Sequence, residues 1–116
     1  MAVAFNETKG TELAAEVRFA RSMWARFWGL MGRGSLPQGQ GLLISPCSSV
    51  HTFFMRFPID VIFVDRGGRV VKIVGGMKPW RTTLGGSGAH SVLELNAGEA
   101  AGGSLEVGDL LAFPKR

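Results

Sequence analysis

The sequence contains a single cysteine, Cys47, and this scarcity excludes two kinds of site. One thiol cannot form an intramolecular disulfide bond, and it cannot supply a zinc site that needs several thiolates. The N-terminal residues include no basic segment followed by a long apolar run, so we expect no signal peptide. No uncharged apolar segment approaches about eighteen residues, the length that a membrane-spanning helix needs. These absences predict a cytoplasmic protein.

Charged residues are also few, at 19% of 116 residues, whereas hydrophobic residues make up 46%. This balance is typical of a globular chain, and the length favours one domain covering 1–116 with a real core. Lys and Arg exceed Asp and Glu by 13 to 9. The net charge of +4 suits an anion-binding face better than a dedicated DNA-binding surface. Seventeen glycines are too many for a helical bundle and favour short strands joined by tight turns.

The most informative stretch is 46–65, which holds the only cysteine and four of the eight phenylalanines. Its residues alternate in steps of two between an apolar set and a mixed set, which is typical of β-strands. Pro58 cannot donate to a strand ladder, so the strand should break there. We therefore predict strands over 50–56 and 59–65, with a bend between them.

A carboxylate, Asp60, lies just past this bend, between Ile59 and Val61. Burial of an ionised group without a partner is costly. Asp60 should therefore be bonded to backbone N–H groups, paired with an arginine such as Arg56, or catalytic. We favour the structural role, because buried carboxylates at bends usually organise the backbone around them.

Alternating or short apolar runs predict further strands, over 2–6, 12–20, 41–45, 69–74, 91–95 and 110–113. The first of these should be an edge strand, and 82–89 should be a loose loop. The runs 59–65 and 69–74 flank a Gly-Gly turn, so they should pair as an antiparallel hairpin.

Residues 23–31 are the best helix candidate, because their apolar side chains follow the i, i+3, i+4, i+7 spacing of one helix face. These side chains are Trp24, Phe27, Trp28 and Met31. A single helical turn should follow Asn96, with Glu99 three residues on as in a capping box. Short strands at close spacing favour a mainly β fold, a β-sandwich or small barrel with one N-terminal amphipathic helix.

From Trp28 onward, the sequence resembles the family catalogued as domain of unknown function 192. The matching pieces are Gly29–Met31 with Arg33, then Gly41–Ile44, His51–Asp65, Val92–Gly98 and Gly108–Asp109. They cover most of the chain and occur in the family's order. The resemblance implies a β-rich, jelly-roll-like sandwich. Because the family has no settled biochemical activity, the resemblance implies a fold without a mechanism.

Six residues are candidates for binding a small anionic or aromatic molecule: His51, Arg56, Asp60, Lys78, Trp80 and Arg81. Arginine forks suit carboxylate and phosphate groups, and an indole provides a flat wall. The plain alternatives are solvated charges at a rim and, for Trp80, an aromatic lid over the end of the barrel. We predict a non-enzymatic module that binds a small ligand or a protein partner and has no cofactor.

The main alternative is a small enzyme, with Cys47 as nucleophile and His51 as base, oriented by Asp60 or Asp109. No nucleophile-elbow signature surrounds Cys47. Together with Met55, the same thiol and imidazole resemble the ligands of a blue-copper site. On one strand, however, His51 and Met55 would be about 13 Å apart, so we predict no metal.

Nucleic acid is a further alternative, because aromatic and basic residues occur together over 53–56 of a predicted strand. No RNA-binding signature accompanies them. No Gly-x-x-x-x-Gly-Lys segment is present to hold phosphates. We therefore predict a small molecule or a protein as the partner, not a nucleic acid.

Overall fold

A computed structural model describes residues 2–20, 36–53 and 55–115. The elements in this part of the chain are β1 Ala2–Asn6, β2 Thr11–Ala20, β3 Gln40–Ile44, β4 Ser49–His51, β5 Ile59–Val64, β6 Val70–Met77, β7 Thr82–Leu84, β8 Ser91–Asn96, α1 Glu99–Gly102 and β9 Leu111–Ala112. The mainly β class is therefore confirmed. The predicted helix over 23–31 lies outside the described residues.

The strands form one large sheet, in the order β6-β5-β8-β3-β2-β1-β9, and a two-stranded ribbon of β4 and β7. Neighbours are antiparallel except β2 and β3, which run parallel. A parallel pair needs a crossover connection instead of a tight turn. Because jelly rolls are built from antiparallel strands, this arrangement does not confirm the jelly-roll-like sandwich.

The large sheet curls until its two edges meet at one end. Val70 N–H donates to the carbonyl of Asp109 (2.8 Å), and Leu111 N–H donates to the carbonyl of Gly68 (2.9 Å). A bridge between Arg69 and Leu110 lies between these bonds. The result is a half-barrel. In it β1 pairs with β2 on one side and β9 on the other, so the prediction of an edge strand at 2–6 is wrong.

Both faces of β5 are covered, which explains its continuous apolar sequence. Alternate residues of a strand point to opposite faces. Ile62 and Val64 belong to an inner cluster inside the half-barrel, and Ile59, Val61 and Phe63 to an outer cluster. All six residues of β5 are buried. The predicted hairpin is confirmed, because β5 pairs antiparallel with β6.

Asp60 is the single charge within β5, and it is 1% exposed. Its Oδ1 accepts the N–H of Gly76 (2.8 Å), and its Oδ2 accepts those of Gly98 (3.1 Å) and Ala100 (2.9 Å). The predicted bonding of Asp60 to backbone N–H groups is therefore confirmed. Two of these donors lie at the start of α1, where the first N–H groups of a helix need acceptors from outside the helix.

The predicted capping box at this helix is wrong. Gly98 occupies the N-cap position, and it has no side chain of its own with which to cap the helix. Glu99 reaches away from the helix, and its Oε1 accepts the N–H of Gly39 at 2.8 Å. The first N–H groups of the helix are thus bonded to Asp60 of the neighbouring strand β5, and not to Asn96 as expected.

A second buried carboxylate, Asp109, fastens the segment before β9 to β1. Its Oδ2 accepts hydrogen bonds from the Asn6 amide (2.9 Å) and the Glu106 N–H (3.0 Å), and Lys9 Nζ lies 3.1 Å away. The Asn6 bond, the Glu106 N–H and Lys9 lower the pKa of Asp109 below its ordinary 3.8, against an opposing effect of burial. The hydrogen bond to Glu106 contributes most to raising the pKa of Lys9 above 10.5.

Within the described residues, every helix falls short of the length and apolarity that crossing a bilayer requires.

Candidate binding surface

Thr52, which is fully buried, holds two surface segments side by side. Its Oγ1 donates to the carbonyl of Lys78 (2.6 Å) and accepts the N–H of Arg81 (3.0 Å). Its backbone carbonyl accepts the N–H of Trp80 (3.0 Å), and its own N–H donates to the carbonyl of Arg81 (2.8 Å). These bonds lock the turn over 78–81 against the end of β4.

The same bonds explain why the strand predicted over 50–56 ends at His51. From Thr52 onward, the backbone bonds to the 78–81 turn and no longer extends the ladder with β7. The supposed loose loop over 82–89 begins with β7, which is the partner of β4. Sequence analysis missed Thr52, because its only signal was a hydroxyl near a strand end, where such groups commonly bond to backbone.

Three aromatic side chains, His51, Phe53 and Trp80, stack in one row that we call the aromatic ladder. The ring centroids of His51 and Phe53 are 5.0 Å apart with planes at 30°, and those of Phe53 and Trp80 are 5.8 Å apart at 28°. These distances lie within the range of favourable aromatic pairs. Phe53 is 38% exposed and Trp80 is 56% exposed. Phe53 and Trp80 therefore lie at the surface instead of filling the core.

Trp80 also has an unusual backbone conformation, with φ at +63°. The left-handed region costs a residue with a side chain about 1–2 kcal/mol. Such conformations persist only where surrounding contacts impose them, and they cluster at functional sites. Here the contacts of Thr52 impose the turn, so the exposed indole is fixed in place at a cost in stability.

Cations surround the ladder. Lys78 and Arg81 flank Trp80, and Arg56 lies on the segment that follows Phe53; all three are exposed. Among the residues that the structure describes, none of the three forms an ion pair. The chain has no Asp or Glu over 46–59 or over 66–93. Within these two segments the charged side chains are therefore all basic.

The structure thus brings together His51, Lys78, Trp80 and Arg81 from the predicted set. Arg56 follows Phe53 by three residues in the chain, whereas Asp60 is buried in β5. Phe53 was not among the predicted binding residues; on the predicted strand it shares its parity with Met55 and Phe57, which are buried. The break of the strand at Thr52 uncouples Phe53 from that alternation.

Cys47 lies elsewhere on the surface. Its N–H donates to the carbonyl of His90 (2.7 Å), and its Sγ donates to the carbonyl of Ser49 (3.0 Å). Both Cys47 and His90 line a groove of about 220 Å³. The backbone of Cys47 is therefore bonded to that of His90, the second histidine of the chain, while the thiol bonds to Ser49.

Three larger grooves in the described part of the chain also lie away from the ladder. One of about 520 Å³ lies between Gly39 and α1. Another, of about 420 Å³, opens at one end of the half-barrel beside His90, and a third, of about 370 Å³, lies next to it. No ladder residue lines any of these grooves.

Comparison with known proteins places the chain in a family. The profile of DUF192, described as "Uncharacterized ACR", matches residues 4–113. The chain belongs to the DUF192 family. Relatives of this DUF192 chain include the UPF0127 protein of Pyrococcus furiosus, which is 40% identical and aligns over 93% of this chain and 95% of that protein. The UPF0127 protein of Pyrococcus horikoshii is 36% identical over 93% and 96%.

Solved structures share the DUF192 fold seen here. A protein of unknown function from Novosphingobium aromaticivorans superposes with a TM-score of 0.82 at 25% identity, covering 97% of this chain and 84% of that one. A Sinorhizobium meliloti protein described as a candidate transcription regulator gives a TM-score of 0.81 at 22% identity, over 97% and 91%. The second likeness concerns the fold alone. The family has no described function, so its members supply no activity that could be compared with the geometry of the aromatic ladder.

Proposed function

We propose that this DUF192 chain is a non-enzymatic binding module that holds a small planar anion against the aromatic ladder. The observation that carries the proposal is the exposed stack of Phe53 on Trp80, with centroids 5.8 Å apart and unpaired cations beside it. A planar ligand would add one more ring to this stack. Stacking of a base on an aromatic side chain contributes about 1–3 kcal/mol.

Rigidity of the platform supports the proposal. Ordering a side chain during binding costs about 0.5–1.5 kcal/mol. The backbone at Trp80 is already fixed by its bond to the carbonyl of Thr52, and its ring is already stacked on Phe53. Most of this ordering cost is therefore met when the chain folds. In this proposal, the strained backbone at Trp80 holds the ring in place before the ligand binds.

The surrounding cations support an anionic ligand. Hydrogen bonds from guanidinium or ammonium groups to carboxylate or phosphate are roughly twice as strong as neutral ones. Lys78 and Arg81 have no ion pair within the described residues, so no internal salt bridge must break before they bind. Arg56 would add a third positive charge. In this proposal Asp60 acts indirectly, by fixing Gly76, which leads into the 78–81 turn.

The enzyme alternative built on Cys47 and His51 has weaker support, because the described hydrogen bonds of Cys47 go to Ser49 and His90. An extended nucleic-acid platform is also less well supported. The net charge is only +4, and Phe53 and Trp80 are the two exposed phenylalanine and tryptophan rings within the aromatic ladder.

Three probes test the proposal by NMR titration. AMP carries a planar ring and an anion, adenosine carries the ring alone, and ribose 5-phosphate carries the anion alone. We expect AMP to bind at least about tenfold more tightly than either part, since the loss of stacking or of charge-assisted bonds costs about 1.4 kcal/mol or more. A short oligothymidylate that bound over a hundredfold more tightly than AMP would overturn the small-ligand assignment in favour of nucleic acid.

Variants assign the binding to the ladder. Trp80→Ala should lower the affinity for AMP about tenfold, and Arg81→Gln should lower it towards that of adenosine. Leu84→Ala, which removes another exposed apolar side chain, and Arg18→Gln, which removes an exposed cation on β2, are matched controls. Binding of AMP by Trp80→Ala with unchanged affinity would refute the proposal.

A further inference from the structure

We infer that the groove between Gly39 and α1 is a second binding site, which takes a small organic ammonium ion. We call it the α1 groove. Its volume of about 520 Å³ lies within the range of small-molecule sites. Residues of β2, of the loop before β3 and of α1 line it. It shares no lining residue with the aromatic ladder, and the two proposed ligands carry opposite charges, so either proposal can fail without the other.

The charged side chains of the groove have one sign. Among the described residues that line it, the charged ones are Glu12 and Glu99, and no lysine or arginine accompanies them. They come from different elements, since Glu12 lies on β2 and Glu99 begins α1. The described lining therefore carries two negative charges, which favours a cationic ligand.

Glu99 has one oxygen without a partner. Its Oε1 accepts the N–H of Gly39 at 2.8 Å, whereas its Oε2 is buried and has no hydrogen-bond partner among the described residues. Glu99 also forms no ion pair with any of them. A buried acceptor without a partner is unusual in a folded protein, because it loses its bonds to water and gains none in return. This oxygen is an independent sign that a donor belongs in the groove.

The carboxylate of Glu99 can turn towards a ligand. The last torsion angle of a glutamate side chain varies over a broad range, so a rotation of the carboxylate brings Oε2 to the groove that Glu99 lines. The direction of the new bond follows from chemistry alone, because an ionised carboxylate only accepts hydrogen bonds and an ammonium group only donates them. Such charge-assisted bonds are roughly twice as strong as neutral ones.

The other polar groups suit an ammonium group better than a metal ion. Gln38 and Asn96 also line the groove, and each can turn its amide oxygen towards a donor. The N–H groups of an ammonium ion can thus meet carboxylate and amide oxygens together. In the described part of the chain, by contrast, no group of three or more His, Cys, Asp and Glu residues could hold a metal ion.

An alkyl chain on the ammonium group has a surface to lie on. Leu13 lines the groove and packs against the inner cluster. Gly39, Gly98 and Gly102 form part of the wall, and a Cβ atom at any of them would meet nothing within 4 Å. The groove is therefore open enough to admit a short chain. Its second carboxylate, Glu12, favours a second ammonium group at the other end of that chain.

No local pattern in the sequence reveals this groove. A capping box predicts a local partner for Glu99, the backbone N–H of Asn96. In the structure Asp60 bonds to the start of the helix instead, and Glu99 reaches Gly39, sixty residues away in sequence. The groove therefore depends on a contact between distant segments.

1,4-Diaminobutane, 1,4-butanediol and Mg²⁺ test this inference by NMR titration of the full chain at constant ionic strength. The diol has the same length without the charge, and Mg²⁺ has the charge without the chain. We expect the diamine to bind at least about tenfold more tightly than either comparison, with the largest amide shift changes at Gly39, Glu99 and Gly103. An affinity for the diol or for Mg²⁺ that equals that for the diamine would overturn the inference. Failure of the diamine to bind, or largest changes on any other surface, would overturn it as well.

Two variants assign the binding to the carboxylates. Glu99→Gln keeps an oxygen for the N–H of Gly39 and removes the charge, so it should weaken the binding of 1,4-diaminobutane about fivefold to tenfold. Glu12→Gln should weaken it about twofold to fivefold, because Glu12 is exposed and exposed ion pairs contribute less.

Glu16→Gln is the matched control, since it removes an exposed carboxylate of the same strand outside the groove. It should change the affinity less than about twofold. Wild-type affinity in Glu99→Gln would contradict the assignment of the ligand. If Glu99→Gln fails to fold, Glu12→Gln still decides, and an affinity equal to that of Glu16→Gln would count against the site.

Discussion

Replacement of Asp60 by asparagine tests how much the buried carboxylate stabilises the fold. The carboxylate uses both oxygens, one for Gly76 and the other for Gly98 and Ala100. Asparagine has a single acceptor oxygen. If that oxygen serves the two donors at α1, the side-chain NH₂ group faces the N–H of Gly76. One bond is then lost, and the other two lose the assistance of the charge.

The magnitude follows from these contacts. A buried donor without a partner costs about 1–3 kcal/mol, and charged acceptors form stronger bonds than neutral ones. Gly76 is exposed, so water can partly replace the lost acceptor. We therefore expect Asp60→Asn to lower the free energy of unfolding by about 1–3 kcal/mol. For a chain of 116 residues this lowers the melting temperature by about 4–12 °C.

Asp65→Asn is the matched control. Asp65 also binds two backbone N–H groups, those of Gly67 and Arg69, but it uses one oxygen, Oδ1, for both. Asparagine can reproduce both bonds with its amide oxygen, so this variant should change stability by less than about 0.5 kcal/mol. Urea and thermal denaturation measure both variants. Equal stability of Asp60→Asn and Asp65→Asn would refute the reasoning.

Three further predictions concern stability. Folding lowers the pKa of Asp109 below its ordinary 3.8. The stabilisation that Asp109 contributes is therefore present above pH 3.8 and is lost as the pH falls through the folded-state pKa. Asp109→Asn should thus show a smaller loss of melting temperature between pH 7 and pH 3 than wild type. Trp80→Gly should be more stable than Trp80→Ala by about 1 kcal/mol in urea denaturation, because glycine tolerates positive φ. Gly85→Ala should lower the free energy of unfolding by about 1–3 kcal/mol, because the added carbon would lie 2.5 Å from a ring carbon of Phe63. Gly102→Ala in α1 meets open space, so it should raise the free energy of unfolding by up to about 1 kcal/mol.

Local patterns predicted the elements whose partners are close in sequence. The hairpin of β5 and β6 was evident from two apolar runs around Gly67 and Gly68. The long strand β2 was evident from its alternation. The parallel pairing of β2 with β3 was not, because nothing in either strand specifies a neighbour across a crossover. The closure of the sheet near Leu110 likewise depends on contacts between distant segments.

The residues of the candidate surface were predicted from the chemistry of their side chains more than from the periodicity of the sequence. His51, Trp80 and Arg81 were identified because imidazole, indole and guanidinium are binding groups wherever they are exposed. Thr52 and Phe53 were missed, since their roles depend on a backbone turn nearly thirty residues away in sequence. Periodicity describes a strand only while it continues, and no local signal placed the end of β4 at His51.

NMR shift mapping with AMP tests the central claim most directly, because it locates the ligand and detects binding in one measurement. The account predicts that the largest changes occur at the amides of Phe53 and Arg81 and at the indole N–H of Trp80. These changes should disappear in Trp80→Gly, while the spectrum of the sheet is retained. Largest changes in the groove beside His90 at the end of the half-barrel, or the same amide changes at Phe53 and Arg81 in Trp80→Gly as in wild type, would contradict it.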